Sequence, residues 1–331
     1  MKKSGLSTIF NRFSDAHRET IKTIYRAEVK APDMGESVSV ILAKYRDVYK
    51  RLKSNKKVIS NLNYIIRELD RRSDRDVVYK GILSDDIVLF LKEASKKHIK
   101  PSMIFEKYAP IKEKADKISR STRNKLFIPI IVYFVALFGV NFMLSIFKEM
   151  RDDAIMPFSA TVNFILDNFL WINGLIGIIL IVLVFLYTEK LPIIKNAFLE
   201  IRGMLTLASI EVYHEMRYSS AEMIPALKRQ FSLKYSPTKK DIEGLVRLLE
   251  KEKLINPFQA AEIEIETERG KLLRGIQVAL DEKTEKVEKL NYIMQDTIGK
   301  FSILMVAPQI IQAIIVVAGM MLATADFKAS F

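Results

Sequence analysis

Three stretches of the chain carry no Asp, Glu, Lys, Arg or His: Leu126 to Phe147, Leu170 to Tyr187 and Phe301 to Ala323. The segments between them are dense in Lys, Arg, Asp and Glu. A helix rises 1.5 Å per residue, so roughly 20 apolar residues cross a hydrocarbon core of about 30 Å. The first and third stretches meet that length, and Phe169 and Thr188 extend the second. The pattern predicts membrane spans over 126–148, 170–188 and 301–323.

Outside the spans the apolar positions keep a helical rhythm. Val38, Ile41, Leu42, Tyr45 and Tyr49 follow it, and so do Val58, Leu62, Ile65, Ile66 and Leu69. Ser84 followed by two acids marks a helix start leading into Ile87, Val88 and Leu91. Further on, Leu205, Ile210 and Val212 precede a turn at Ser219–Ser220, after which Met223, Leu227 and Phe231 continue. Pro237–Thr238 is read as opening a helix through Ile242, Leu245, Leu248 and Leu249. Alternating runs of Val, Ile or Thr that would make strands are missing. The expected fold is therefore all-α: a polytopic membrane protein with three transmembrane helices and two cytoplasmic helical bundles, 1–125 and 189–300, of five to six helices each. A shift of 175 residues sets Leu83 on Phe258, Glu93 on Glu268, Lys125 on Lys300 and the first span on the third, a weak internal repeat.

Charge orients these elements. Residues 106–125 hold seven Lys or Arg and three acids, whereas 148–169 hold two basic residues against four acids. Lys and Arg near span ends are retained in the cytoplasm. The N-terminus is thus expected on the cytoplasmic side, and the segment 149–169 and the tail 324–331 outside (the periplasm, on the resemblance described below). The formal net charge is +13, and residues 1–125 alone carry 30 basic and 16 acidic side chains. Such a surface suits anionic lipid headgroups or an acidic protein partner.

Phe158, Val162, Ile165, Leu166 and Phe169 fall at helical spacing. They are read as an amphipathic helix at the outer interface, with a long, tilted second span as the alternative.

Chemistry is sparse. No phosphate-binding loop of the G-x-x-x-x-G-K-[ST] type occurs, and His214–Glu215 begins a zinc-protease pattern that Tyr218 fails to complete. There are three His and no Cys. No catalytic residue, cofactor site, metal site or nucleic-acid site is expected. Glu262, Glu264, Glu266 and Glu268 are read as a solvated face. The spans hold no charge that would mark an ion path, but Asn141, Asn173, Gln309 and Gln312 can hydrogen-bond between helices, and Gly319 and Ala323 form a small-xxx-small pair. A transporter or channel subunit is the less favoured reading.

The order of bundle, span, short loop, span, bundle and span, with almost no tail, resembles the inner-membrane platform proteins of type IV pilus and type II secretion machines, the PilC/GspF family. Asn256–Pro257–Phe258 is similar to that family's Phe-Pro helix start, and Glu268–Arg269–Gly270–Lys271–Leu272 to its G-E-x-[ST]-G-x-L signature. Pro308 matches the proline early in its last span. Glu266 stands at the signature's first Gly, Arg269 at its Ser/Thr, and Ala307 at the Glu that usually precedes the proline. Short length and a basic first region look most like the type IVb, toxin-coregulated-pilus (TcpE-like) branch.

The resemblance implies a non-enzymatic scaffold in the bacterial inner membrane. It would be a small homo-oligomer, dimer favoured, coupling a cytoplasmic hexameric assembly ATPase to pilin subunits beside other inner-membrane assembly proteins. A type II secretion platform or that of another membrane apparatus is the alternative. Candidate ATPase contacts are Arg26, Lys30, Lys50, Arg51, Lys53, Lys56, Lys57, Arg71, Arg72 and Arg75. Candidate packing or pilin contacts are Asn141, Gln309, Gln312, Gly319 and Ala323. Gly270 is read as a helix junction or close-packing point.

Overall fold

The computed structural model describes residues 15–53, 55–71, 74–153, 159–187 and 192–329, and every regular element among them is a helix. Before the first apolar stretch come α1 (Asp15–Met34), α2 (Val38–Arg51), α3 (Lys56–Arg71), the short α4 (Arg75–Val78), α5 (Asp85–Lys96) and α6 (Ser102–Leu126). The apolar helices α7 (Ile128–Asp153) and α8 (Ala160–Tyr187) follow. Then come α9 (Pro192–Glu215), α10 (Ser220–Phe231), α11 (Ile242–Lys251), α12 (Pro257–Glu268) and α13 (Leu272–Ala329). Three helices are long and apolar enough to cross a membrane, over Ile128–Asp152, Ala160–Ile179 and within Leu272–Leu322.

The chain divides into two compact units. One runs to Ala115 and resumes over Arg202–Thr284; the other comprises Asp116–Ile201 and Glu285–Phe331. Most of each of the two charge-rich segments, 1–125 and 189–300, thus falls in one shared unit, while 116–125, 192–201 and 285–300 go with the apolar helices. Phe90 of α5 meets Tyr108 of α6 edge-on at 4.8 Å and Tyr213 of α9 at 5.1 Å. All three rings are buried, and burying aromatic surface from both segments in one cluster removes it from water together. Around them, the Tyr218 hydroxyl donates to Glu93 at 2.6 Å, and Lys107 reaches Glu211 and Glu215 at 3.1 and 2.7 Å.

Helix ends follow local chemistry. Ser37 accepts from the Val40 N–H, and Ser219 forms a capping box with Glu222. Pro237–Thr238 does not open a helix. Asp241 caps α11 instead, its carboxylate accepting from the Gly244 N–H at 2.9 Å, because an acidic side chain satisfies a free N-terminal N–H where Thr238 is out of reach.

In the second unit Tyr133, Leu137 and Leu144 of α7 pack with Val162, Leu166 and Phe169 of α8 and with Met305, Val316 and Met320 of α13. Ile131, Val135, Phe138, Phe142 and Ile146 point outward on α7, as an apolar solvent permits. Residues 160–169 are not a separate interfacial helix: they open α8, continuous through Tyr187. No Gly or Pro lies between Ala160 and Asn173, and Asp167, which precedes the charge-free stretch, is matched by Arg151 at 3.0 Å and Lys148 at 3.4 Å from α7. The approaches to the first and third spans also differ. Phe127 interrupts the helix before the first, two residues ahead of Pro129, which lacks the N–H that would bond back to the Lys125 carbonyl and continue the helix. The third belongs to an unbroken helix of 58 residues.

Candidate functional site

The apolar helices carry a polar seam. The Tyr133 hydroxyl on α7 donates to the Asn173 carbonyl on α8 at 2.6 Å. The Asn173 amide donates to Phe169 O one turn earlier at 2.9 Å and to Gln312 Oε1 on α13 at 2.7 Å. Gln309, fully buried one turn before Gln312, lies with its amide 3.5 Å from the Tyr133 carbonyl. Where water is scarce, polar groups seek partners on neighbouring helices, each bond contributing roughly 0.6–2 kcal/mol. Close approach accompanies the seam: a Cβ at Gly177 would sit 2.8 Å from a Tyr133 ring carbon, and one at Gly319 would sit 2.5 Å from Val162 Cγ2. Asn141 is half-buried and stands apart from these bonds. The Ala323 side chain lies outside the described residues.

The basic candidates do not form one patch. Arg26 and Lys30 are exposed one turn apart on α1, with Lys30 Nζ 5.9 Å from the Tyr45 ring centre. Lys50, Arg51, Lys53, Lys56 and Lys57 are all exposed and crowd the turn between α2 and α3. Arg71 is at the far end of α3, about 21 Å from Lys57 at 1.5 Å per residue, and pairs loosely with Glu68 at 3.9 Å. Arg72 lies outside the described residues. Arg75 faces inward, donating to Glu28 at 2.8 Å while Tyr79 donates to the same oxygen at 2.6 Å. Glu28 is buried, and desolvation raises its pKa above the ordinary value even though Arg75 and Tyr79 oppose the shift. The sequence carries a signal for this: Glu28 sits in the α1 stripe formed by Ile24, Ala27 and Ala31, where an acid needs a partner. Asp86 shows the opposite balance. Burial raises it, but Lys112 at 3.1 Å and hydrogen bonds from Ser84 and Tyr108 outweigh burial and hold its pKa below the usual carboxylate value.

The positions that carry the family resemblance cluster around α12. Asn256 and Gln259 form a capping box with Pro257 at the first helical turn, where its missing N–H costs nothing. Phe258 is 85% exposed, and Leu272 is buried. Gly270, at φ +71°, closes the helix: its N–H bonds to Thr267 O and the Lys271 N–H to Glu266 O, each at 2.8 Å. No neighbour comes within 4 Å of a Cβ there, so Gly270 is a junction, and close packing falls on Gly275, whose Cβ would sit 2.9 Å from Ile263 Cα. The acidic run is not uniformly solvated. Glu264 and Glu268 are exposed, but Glu266 is buried, 3.0 Å from Arg269 and 3.8 Å from Arg274. Pro308 is exposed within α13. Among the described residues no group of His, Asp and Glu is arranged to hold a metal ion.

In comparisons with family models, curated proteins and solved structures, none matches this chain.

Proposed function

We propose that the chain is the inner-membrane platform of a type IV pilus assembly machine, a scaffold without catalytic chemistry that couples a cytoplasmic ATPase to pilin subunits. The observation that carries this reading is the segregation of the chain. Water-exposed segments more than 80 residues apart make one compact unit, and three apolar helices joined by a polar seam make another. A scaffold loaded by an ATPase needs its soluble segments to respond as one body. The shared Phe90–Tyr108–Tyr213 cluster and the Lys107 ion pairs supply that coupling. The charge asymmetry across the first span favours a cytoplasmic N-terminus and a periplasmic C-terminus.

On this reading the ATPase engages the exposed Arg26–Lys30 stripe. Pilin helices meet the outward faces of α7 and α8, with Asn141 the polar position on offer, because Gln312 is already bonded to Asn173. The test is purification of the full chain in detergent from its host. A hexameric ATPase and a pilin should accompany it, and Arg26→Glu with Lys30→Glu should remove the ATPase but leave the pilin. Recovery of neither partner with the unaltered chain would refute the proposal.

A further inference from the structure

Two exposed surfaces of the first unit match each other in chemistry. At the turn between α2 and α3, Leu52 is 72% exposed, with Val48 exposed one turn before it. Lys50, Arg51, Lys53, Lys56 and Lys57 surround it, and of these only Lys50 makes an ion pair among the described residues, to Asp47 at 3.7 Å. On α12, Phe258, Ala261, Glu264, Ile265 and Glu268 are all exposed. Their spacing of three and four residues sets them along one face. Phe258 and Ile265 are 85% and 46% exposed. Glu264 and Glu268 make no ion pair among the described residues, because the nearest arginine in sequence, Arg269, turns to Glu266. One surface is apolar with a basic rim, the other apolar with an acidic rim.

Both stay uncovered within one chain, so they do not cover each other. Like charge keeps each from pairing with its own kind. We propose that a second copy of this chain supplies the occupant: the lysine-rich turn of one copy seats on the α12 face of the other. Leu52 packs between Phe258 and Ile265, and Lys53 and Lys56 meet Glu264 and Glu268. A two-fold axis satisfies both surfaces of both copies and closes the assembly as a dimer. A turn laid on three helical turns buries less than the roughly 1,200–2,000 Å² of stable soluble interfaces. Confinement to one membrane plane compensates by raising the effective concentration of the partner. The inference rests on these two surfaces and is independent of what the assembly builds.

The chain contains no Cys, so single thiols report cleanly. Two differently tagged full-length chains, Leu52→Cys and Ile265→Cys, are co-expressed, and their membranes are treated with a short bifunctional maleimide. A mixed cross-linked pair is expected in clear excess over the pair made by Leu52→Cys with a control chain carrying Tyr64→Cys, another exposed position. Adding Glu264→Lys and Glu268→Lys to the Ile265→Cys chain should lower the yield about fivefold or more. Adding Lys53→Glu and Lys56→Glu to the other chain should restore it, a rescue that misfolding cannot mimic.

A mixed yield no higher than the control overturns the proposal, and so does indifference to charge reversal. Protection of the Leu52→Cys thiol from a water-soluble maleimide by anionic lipid alone assigns the turn to headgroups and overturns it. Protection that requires the ATPase assigns it to that partner, with the same consequence.

Discussion

Replacing Gly203 by Ala tests how tightly α9 is held in the shared unit, because two effects of opposite sign compete at that position. Ala is a better helix former than Gly by about 1 kcal/mol, and a buried methyl group adds about 0.8 kcal/mol where there is room for it. There is no room. A Cβ at Gly203 would lie 2.4 Å from the Leu254 carbonyl oxygen and 3.3 Å from its carbon. Ordinary contact begins near 3.4 Å, so one backbone must move by about an ångström. Leu254 is fully buried, and its N–H is bonded to Leu249 O at 2.8 Å, so its carbonyl has little freedom to retreat. A displacement of about an ångström falls in the upper part of the roughly 1–3 kcal/mol that overpacking costs, about 2–3 kcal/mol, which after the helix gain of about 1 kcal/mol leaves a net loss of about 1–2 kcal/mol. Hydrogen exchange read by mass spectrometry on the detergent-purified full chain should show the amides of α9 opening about 5- to 30-fold more often. Gly299→Ala serves as the control: nothing lies within 4 Å of a Cβ there, so it should slow exchange in α13. Unchanged or slower exchange in α9 of Gly203→Ala would refute the packing argument.

Within the seam, Asn173→Leu removes the bond to Gln312 and should weaken association of α8 with α13 by about 0.6–2 kcal/mol. Gel mobility of the detergent-solubilised chain against temperature would read this, and unchanged thermal resistance would contradict it. Glu28 binds its proton more tightly folded than unfolded, because burial raises its pKa. Its contribution to stability is therefore present below the ordinary glutamate value of 4.5 and is lost as pH rises through the raised folded value. The thermal midpoint of Glu28→Gln should accordingly fall less than that of the wild type between those values, and parallel curves would contradict the assignment. Topology is open to the same Cys-free strategy: Ser159→Cys should label in intact cells and Asn55→Cys only after permeabilisation, with the reverse pattern inverting the proposed orientation.

Apolar helices were legible because composition alone marks them: Leu126–Phe147 lies almost wholly in α7 and Leu170–Tyr187 in α8. Their limits were less so. Counting charges stops the second span after Asp167, although the helix does not break there, because lateral ion pairs with Arg151 and Lys148 accommodate that carboxylate. The same count stops the third at Lys300, while α13 already runs from Leu272, since charged residues on an exposed helix interrupt hydropathy without interrupting hydrogen bonding. Asn173 and Gln312 stood out as amides in apolar sequence. Tyr133 did not, because an isolated Tyr fits an apolar run as well as any aromatic, and only the approach of Asn173 gives its hydroxyl a task. The sharing of one unit by two distant segments rests on Phe90 meeting Tyr213 and Glu93 meeting Tyr218, contacts 123 and 125 residues apart that periodicity along either helix cannot reveal.

The platform reading is tested most directly by deleting the gene in its host, imaging surface fibres by electron microscopy and immunoblotting the pilin. The account predicts bald cells with processed pilin retained in the inner membrane, restored by the full chain supplied in trans. Normal fibres on the deletion strain would contradict it.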